Sequence, residues 1–279
     1  MTTLKYLENG FEYIEVVNDA AQAKVALQGA HLFHYARHHE APILWVSNAS
    51  AFATGDAIRG GVPICWPWFG MPADAMLPQH GFARTALWTF IGSKETPEVT
   101  ELTFCLKSSA ETLAMWPYRF ELIYRMTIGS ELTLELTTAN CDSKAFTISQ
   151  ALHTYFSVSH ISNIHVNGLD TKPYWNALTN TECLQEGSIT VNQEVDRVYR
   201  DVSNPVVLVD TKRTVTITNT GSASVVVWNP WIHKCARMRA MEPTGYKTMV
   251  CIESANARDD ARTIKPAQTH TLTTRIECR

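Results

Sequence analysis

The sequence has no apolar run close to the roughly 20 residues that a membrane-spanning helix needs, so no membrane role is expected. Its first ten residues, Met1 to Gly10, include Lys5 and Glu8 and have no apolar signal core, so no leader is expected there. Charge is sparse as well. Asp, Glu, Lys and Arg make up 18% of the 279 residues, and the net charge is −3. Without a basic surplus, neither nucleic acid nor an anionic membrane is an expected partner. The seven cysteines form no CxxC pair. An odd number of thiols with no leader implies reduced cysteines in a cytoplasmic protein, used mainly as small buried apolar groups.

Several catalytic signatures are missing. No glycine-rich motif opens a helix, which excludes a P-loop and a dinucleotide fingerprint. No GxSxG nucleophile elbow is present. His31, His34, His38 and His39 have no partner ligands at metal spacing and read as surface or strand histidines. No cofactor and no metal are expected. Long helical periodicity, heptads, low-complexity tracts and a linker are all absent, so one domain over residues 1–279 is expected. A chain of this length can bury a core large enough to need no disulfide or metal staple.

What is present is short strands. Tyr118, Phe120, Leu122, Tyr124, Met126 and Ile128 take every second position, with polar residues filling most of the alternate ones. After Gly129-Ser130, Leu132, Leu134 and Leu136 alternate with Thr133, Glu135 and Thr137. This pattern predicts a hairpin with a type II′ turn at Gly129-Ser130. Further strands are predicted at 11–17, at 24–35 in two pieces around Gly29, and at 43–46, 87–91, 102–106, 146–158 and 161–169. Others are predicted at 189–191, 206–209, 215–218, 225–228, 246–253 and 271–276, and a short helical turn at 110–116. Many short strands punctuated by Gly, Asn, Pro and Ser point to an all-β sandwich or barrel.

The stretch from Ile58 to Arg84 stands out. It places Arg59, Gln79, His80 and Arg84 among four prolines, Gly60, Gly61, and the aromatics Trp66, Trp68 and Phe69. Proline removes backbone donors and restricts its neighbour, while glycine admits close approach of a ligand to the main chain. The loop reads either as a binding site with an aromatic floor or as a corner packed under the sandwich. His153, in Leu152-His153-Thr154-Tyr155-Phe156, would share a strand face with Tyr155. It is an acid–base group or a satisfied half-buried histidine, and its position alone leaves both open. Glu253 ends an apolar strand, where flanking side chains would raise its pKa, although strand ends also carry idle acids. Asp196 reads as a solvated residue in a charged stretch between strands. Trp228-Asn229-Pro230-Trp231 suits a sugar ring or merely caps a sheet.

In chain order, the segments 58–70, 79–84, 152–156, 194–199, 228–231 and 247–256 resemble the aldose 1-epimerase (mutarotase) superfamily. Arg-Gly-Gly-x-Pro and Gln-His-Gly-x-Ala-Arg resemble its hexose-6-phosphate branch in particular. The resemblance implies a galactose-mutarotase-like β-supersandwich of antiparallel sheets with a sugar cleft on one face. It implies His153 as general acid, Glu253 as general base, Arg59 and Arg84 on a phosphate, and Gln79 and Asp196 on the sugar. It also places His80 beside the substrate. The expected activity is anomer interconversion of hexose 6-phosphates by a cofactor-free monomer. Ser254 departs from the galactose-type pattern, in which proline usually follows the glutamate. Alternatives are a non-catalytic sugar-phosphate sensor on the same fold, a free-aldose mutarotase and a glycoside hydrolase. The last needs two flanking carboxyls, for which only Glu253 and Asp196 are available.

Overall fold

A computed structural model describes residues 1–279. The chain folds almost entirely into antiparallel strands. It opens with a four-stranded meander, Thr2–Tyr6, Glu12–Val17, Ala21–Ala26 and His31–Arg37. Two eight-stranded sheets follow, and a small two-stranded sheet pairs Phe146–Ile148 with Arg262–Ile264. No helix is long and apolar enough to cross a membrane.

One large sheet runs, in spatial order, through Thr89–Glu95, Thr100–Lys107, Phe120–Ile128, Leu132–Asn140, Thr269–Cys278, Thr214–Thr220, Val206–Val209 and His165–Asn167. Its central strands alternate buried and half-buried residues without a break. That is the signature of a sheet with one face on the core and the other toward water. The second sheet carries the cleft. Its strands are β1 (Ile64–Cys65), β2 (Gln150–Leu152), β3 (Tyr155–Ser157), β4 (Pro173–Asn176), β5 (Thr181–Leu184), β6 (Val195–Tyr199), β7 (Ser224–Asn229) and β8 (Met249–Asn256). They lie in the order β5–β4–β6–β7–β8–β2–β1, with β3 also on β8. Every residue of β7 and β8 is buried. One face of β8 meets the first sheet, where Ser254 Oγ donates to Asn219 Oδ1 at 2.5 Å. Its other face floors the cleft, so these strands lack the alternation of half-solvated ones.

The structure revises several sequence expectations. The hairpin forms, with Ile128 opposite Leu132, but three residues close it and Gly129 does not have the positive φ of a II′ turn. Glycine is favoured there by packing: a Cβ would press on Glu98 O and Val99 Cγ2 at 3.2 Å, and Tyr35 Oη donates to Gly129 O at 2.9 Å. The predicted strands at 43–46 and 189–191 reduce to isolated bridges. The one at 146–158 is broken into three pieces, and the one at 161–169 begins as a 3-10 turn. Five cysteines are buried, but Cys141 is exposed and Cys183 half-buried.

The 58–84 loop both packs and displays. Trp66 is fully buried against Trp116, Phe120 and Phe82, with its Nε1–H on Thr138 Oγ1, so it anchors the loop and floors nothing. Gly60 and Gly61 serve backbone packing rather than ligand approach. Both have positive φ, and a Cβ on either would collide with the neighbouring chain, at Trp45 and at Leu32 respectively. Gly61→Ala is therefore expected to destabilise the fold by about 2 kcal/mol or more, from strain plus collision. Urea unfolding checks this; an unchanged midpoint would contradict it.

Candidate active site

Strand register builds the site. Leu152 of β2 lies opposite Ser254 of β8, and Tyr155 of β3 opposite Cys251. The two residues between match two on β8, which sets His153 across from Glu253. His153 is not in mid-strand as expected. It centres a γ-turn in which Thr154 N–H donates to Leu152 O at 2.9 Å, while its own N–H donates to Pro63 O at 3.0 Å. Glu253 is not at a strand end but three residues inside β8. On the other flank, Val226 pairs with Glu253, Trp228 with Cys251, and Asp196 with Trp228. With period-two alternation, Asp196, Trp228, Cys251, Glu253, His153 and Tyr155 share one face. Ser254 points the other way, toward the first sheet.

That face floors a cleft of about 780 Å³. All seven residues singled out in the sequence line it: Arg59, Gln79, His80, Arg84, His153, Asp196 and Glu253. Asp196 is a correction to the residue-based reading. It lies on strand β6, partly buried, and forms an ion pair with Lys234 at 3.5 Å. Tyr155 and Trp228 line the cleft too, and of the three loop aromatics only Phe69 does. Sequence reasoning missed Trp175, Lys234, Arg239 and Arg258. Lys234 follows the Trp228–Trp231 corner and Arg258 follows the Glu253 strand by a few residues, which is the only signal either offered.

His153 Nε2 and Glu253 Oε1 lie 3.3 Å apart, with 10% and 1% of their side-chain surfaces exposed. His153 stacks on Tyr155 at 4.9 Å between ring centres, Tyr155 stacks on Trp45 at 5.9 Å, and Trp228 meets His153 edge-on at 6.0 Å. This aromatic pile fixes the imidazole plane. Burial pushes the Glu253 carboxyl well above the usual carboxylate range, and the charge of Asp196 adds to it. Burial pushes His153 well below the usual imidazole range, helped by His80 and Arg84. Both charged forms are disfavoured, and the two groups titrate as a coupled pair. His153 Nδ1 and Glu253 Oε2 have no protein partner.

Cations surround this neutral pair. Arg59 Nη1 donates to Tyr155 Oη at 3.3 Å, and Arg84 Nη2 donates to Gln79 O at 2.7 Å. Neither guanidinium forms an ion pair with a carboxylate, whereas Lys234 pairs with Glu194 and Asp196, and Arg239 with Asp56. Arg258 lies 4.0 Å over the Trp175 ring. His80 Nδ1 accepts from Gly70 N–H at 3.1 Å, which leaves Nε2–H as a free donor. Burial, then the charges of Arg84 and Arg59, bring its pKa down to about 3. A ring-nitrogen NMR titration should therefore show His80 neutral, with Nδ1 unprotonated, down to about pH 4. Protonation near pH 6 would contradict this picture of the cleft.

The aldose 1-epimerase family profile matches residues 12–277. A Salmonella typhimurium protein named "Putative glucose-6-phosphate 1-epimerase" is 37% identical over 263 residues, 92% of this chain and 88% of its own. A protein of the same name from Escherichia coli is 36% identical, covering 93% and 88%. Among solved structures, one described as a putative mutarotase from Salmonella typhimurium superposes with a TM-score of 0.93 at 34% identity, covering 99% of this chain and 93% of that one. A galactose 1-epimerase structure from Lactobacillus acidophilus, 14% identical with a TM-score of 0.77, shares the fold over 100% of this chain and 98% of its own. These matches span nearly the whole chain, and it belongs to the aldose 1-epimerase family.

Proposed function

We propose that this epimerase interconverts the α and β anomers of hexose 6-phosphates, with glucose 6-phosphate as the leading substrate. One observation carries the reading: a buried, cross-strand His–Glu pair shares its cleft with two arginines that have no carboxylate partner. The names of the 36–37% identical relatives agree with it. The main apolar core cluster of 68 residues, beside a small one of five, supports action as one domain. We read the protein as a cytoplasmic monomer that engages neither nucleic acid nor membranes.

Anomerisation opens the hemiacetal ring, rotates the C1–C2 bond and recloses the ring on the other face. Glu253 as carboxylate takes the proton of the C1 hydroxyl while His153 as imidazolium protonates the ring oxygen. The pair starts and ends this step with one proton, now held on Glu253, and reclosure runs it backwards. Burial favours the neutral tautomer at rest, and transfer along the 3.3 Å contact reaches the ionised one. Positioned proton transfer of this kind contributes about 10²–10⁴-fold per group. Asp196 and Gln79 are placed to hold sugar hydroxyls, and Nε2–H of His80 supplies one further donor. Arg59 and Arg84 receive the phosphate, whose charge of about −1.5 to −2 matches two forked donors.

Two measurements check this. The first follows anomer exchange by NMR. His153→Ala and Glu253→Gln should each remove nearly all turnover, and the double variant should be little worse, because the pair acts as a unit. In wild type, kcat should follow a broad bell. The two-proton form is disfavoured because His153 is shifted down, so the acid limb falls below the usual imidazole range. The zero-proton form is disfavoured because Glu253 is shifted up, so the alkaline limb falls above the usual carboxylate range. A rate rising without limit at high pH would exclude His153 as the acid.

The second measurement separates phosphosugars from free sugars. Arg59→Ala or Arg84→Ala should raise KM for glucose 6-phosphate about tenfold or more, roughly 1.4 kcal/mol, and leave glucose turnover nearly unchanged. Equal fractional losses on both substrates, together with a lowered Tm, would make the arginines structural and point to a free-aldose enzyme.

A further inference from the structure

Cys251 has no part in proton transfer; it is fully buried on the same face of β8 as Glu253, two residues away, and does not itself line the cleft. Its thiol, an imidazole nitrogen of His153 and a carboxylate oxygen of Glu253 all lie within 4.8 Å of one another, and all three residues are buried. Two atoms of these side chains, His153 Nδ1 and Glu253 Oε2, have no hydrogen-bond partner.

The spacing is close to that of a coordination shell. A tetrahedral zinc ion with Zn–N and Zn–O bonds of about 2.0–2.1 Å holds its N and O ligands about 3.3 Å apart. His153 Nε2 and Glu253 Oε1 are already 3.3 Å apart. A Zn–S bond of about 2.3 Å places sulfur about 3.6 Å from the other two ligands. The three donor atoms of this cluster lie within 4.8 Å of one another, so the thiol stands at most about 1.2 Å outside that spacing. One thiolate, one imidazole and one carboxylate favour a borderline-soft ion of the zinc class over magnesium or calcium.

We propose that His153, Cys251 and Glu253 form a three-ligand site for a thiophilic divalent cation, with water from the cleft as fourth ligand. Each ligand binds in its deprotonated form, as thiolate, neutral imidazole and carboxylate, so binding releases protons. In an occupied site neither His153 nor Glu253 is free to exchange a proton with the sugar, so their acid–base route is blocked. This last step rests on the acid–base reading above, whereas metal binding itself does not.

Cobalt(II) titration of the intact protein tests the site without using activity. A thiolate-to-cobalt charge-transfer band with an intense tetrahedral visible spectrum is expected at one equivalent. Both should vanish in Cys251→Ser and persist in Cys141→Ser and Cys183→Ser. Glucose 6-phosphate should compete with cobalt in the wild type, a readout that needs no variant to fold. Zinc should inhibit anomer exchange, and in Cys251→Ser the inhibition, measured against that variant's own metal-free rate, should weaken roughly tenfold or more. No thiolate band in the wild type, or a band unchanged in Cys251→Ser, overturns the proposal. A Cys251-dependent band in a protein without anomerase activity would keep the site and remove the functional reading.

Discussion

The cleft depends on one register: His153 opposite Glu253 across the β2/β3–β8 pairing. Side chains alternate faces along a strand, so a one-residue slip would send Glu253 into the core and His153 away from it. The structure holds that register from both sides. Pro63 and Gly61 carbonyls accept the His153 and Tyr155 amides on one side, and Leu152 and Tyr155 pair with β8 on the other. The glycines at 60 and 61 belong to this frame, because only their missing Cβ atoms let the arginine-bearing loop lie against Trp45 and Leu32. Arg59 then reaches Tyr155, and Tyr155 stacks on His153. The arginine end and the His153–Glu253 end of the cleft are thus mechanically one unit.

Electrostatics complements this frame. Burial alone would keep both members of the pair neutral, a resting state matched to a reaction whose reactant and product are uncharged at the anomeric centre. The cations without a carboxylate partner sit instead at Arg59 and Arg84, while the other cationic side chains of the cleft are tied up by Asp196, Glu194 and Asp56 or stacked on Trp175. An anion held there would balance a cleft that otherwise has a cationic surplus.

Much of this was legible in the sequence, in uneven ways. The Tyr118–Ile128 and Leu132–Leu136 alternation gave away a hairpin because that sheet has one wet face. β7 and β8 gave no such pattern, because both their faces are covered, and so Glu253 was placed at a strand end rather than inside one. Asp196 read as a solvated loop residue because the charges around it, Glu194 and Arg197, hide a strand whose other members are valine and tyrosine. Periodicity could not have found the break at His153, since a γ-turn has no composition. The seven cleft residues were united by family resemblance, not by spacing. Lys234, Arg239, Arg258 and Trp175 escaped because they enter the cleft through tertiary packing alone.

The most direct measurement is a crystal structure of the Glu253→Gln protein with glucose 6-phosphate. The phosphate should lie in the forks of Arg59 and Arg84. In that pose the C1 hydroxyl should be within hydrogen-bond reach of residue 253 and the ring oxygen within reach of His153. A phosphate held elsewhere, or a sugar whose C1 and ring oxygen are both out of reach of His153 and residue 253, would contradict the account.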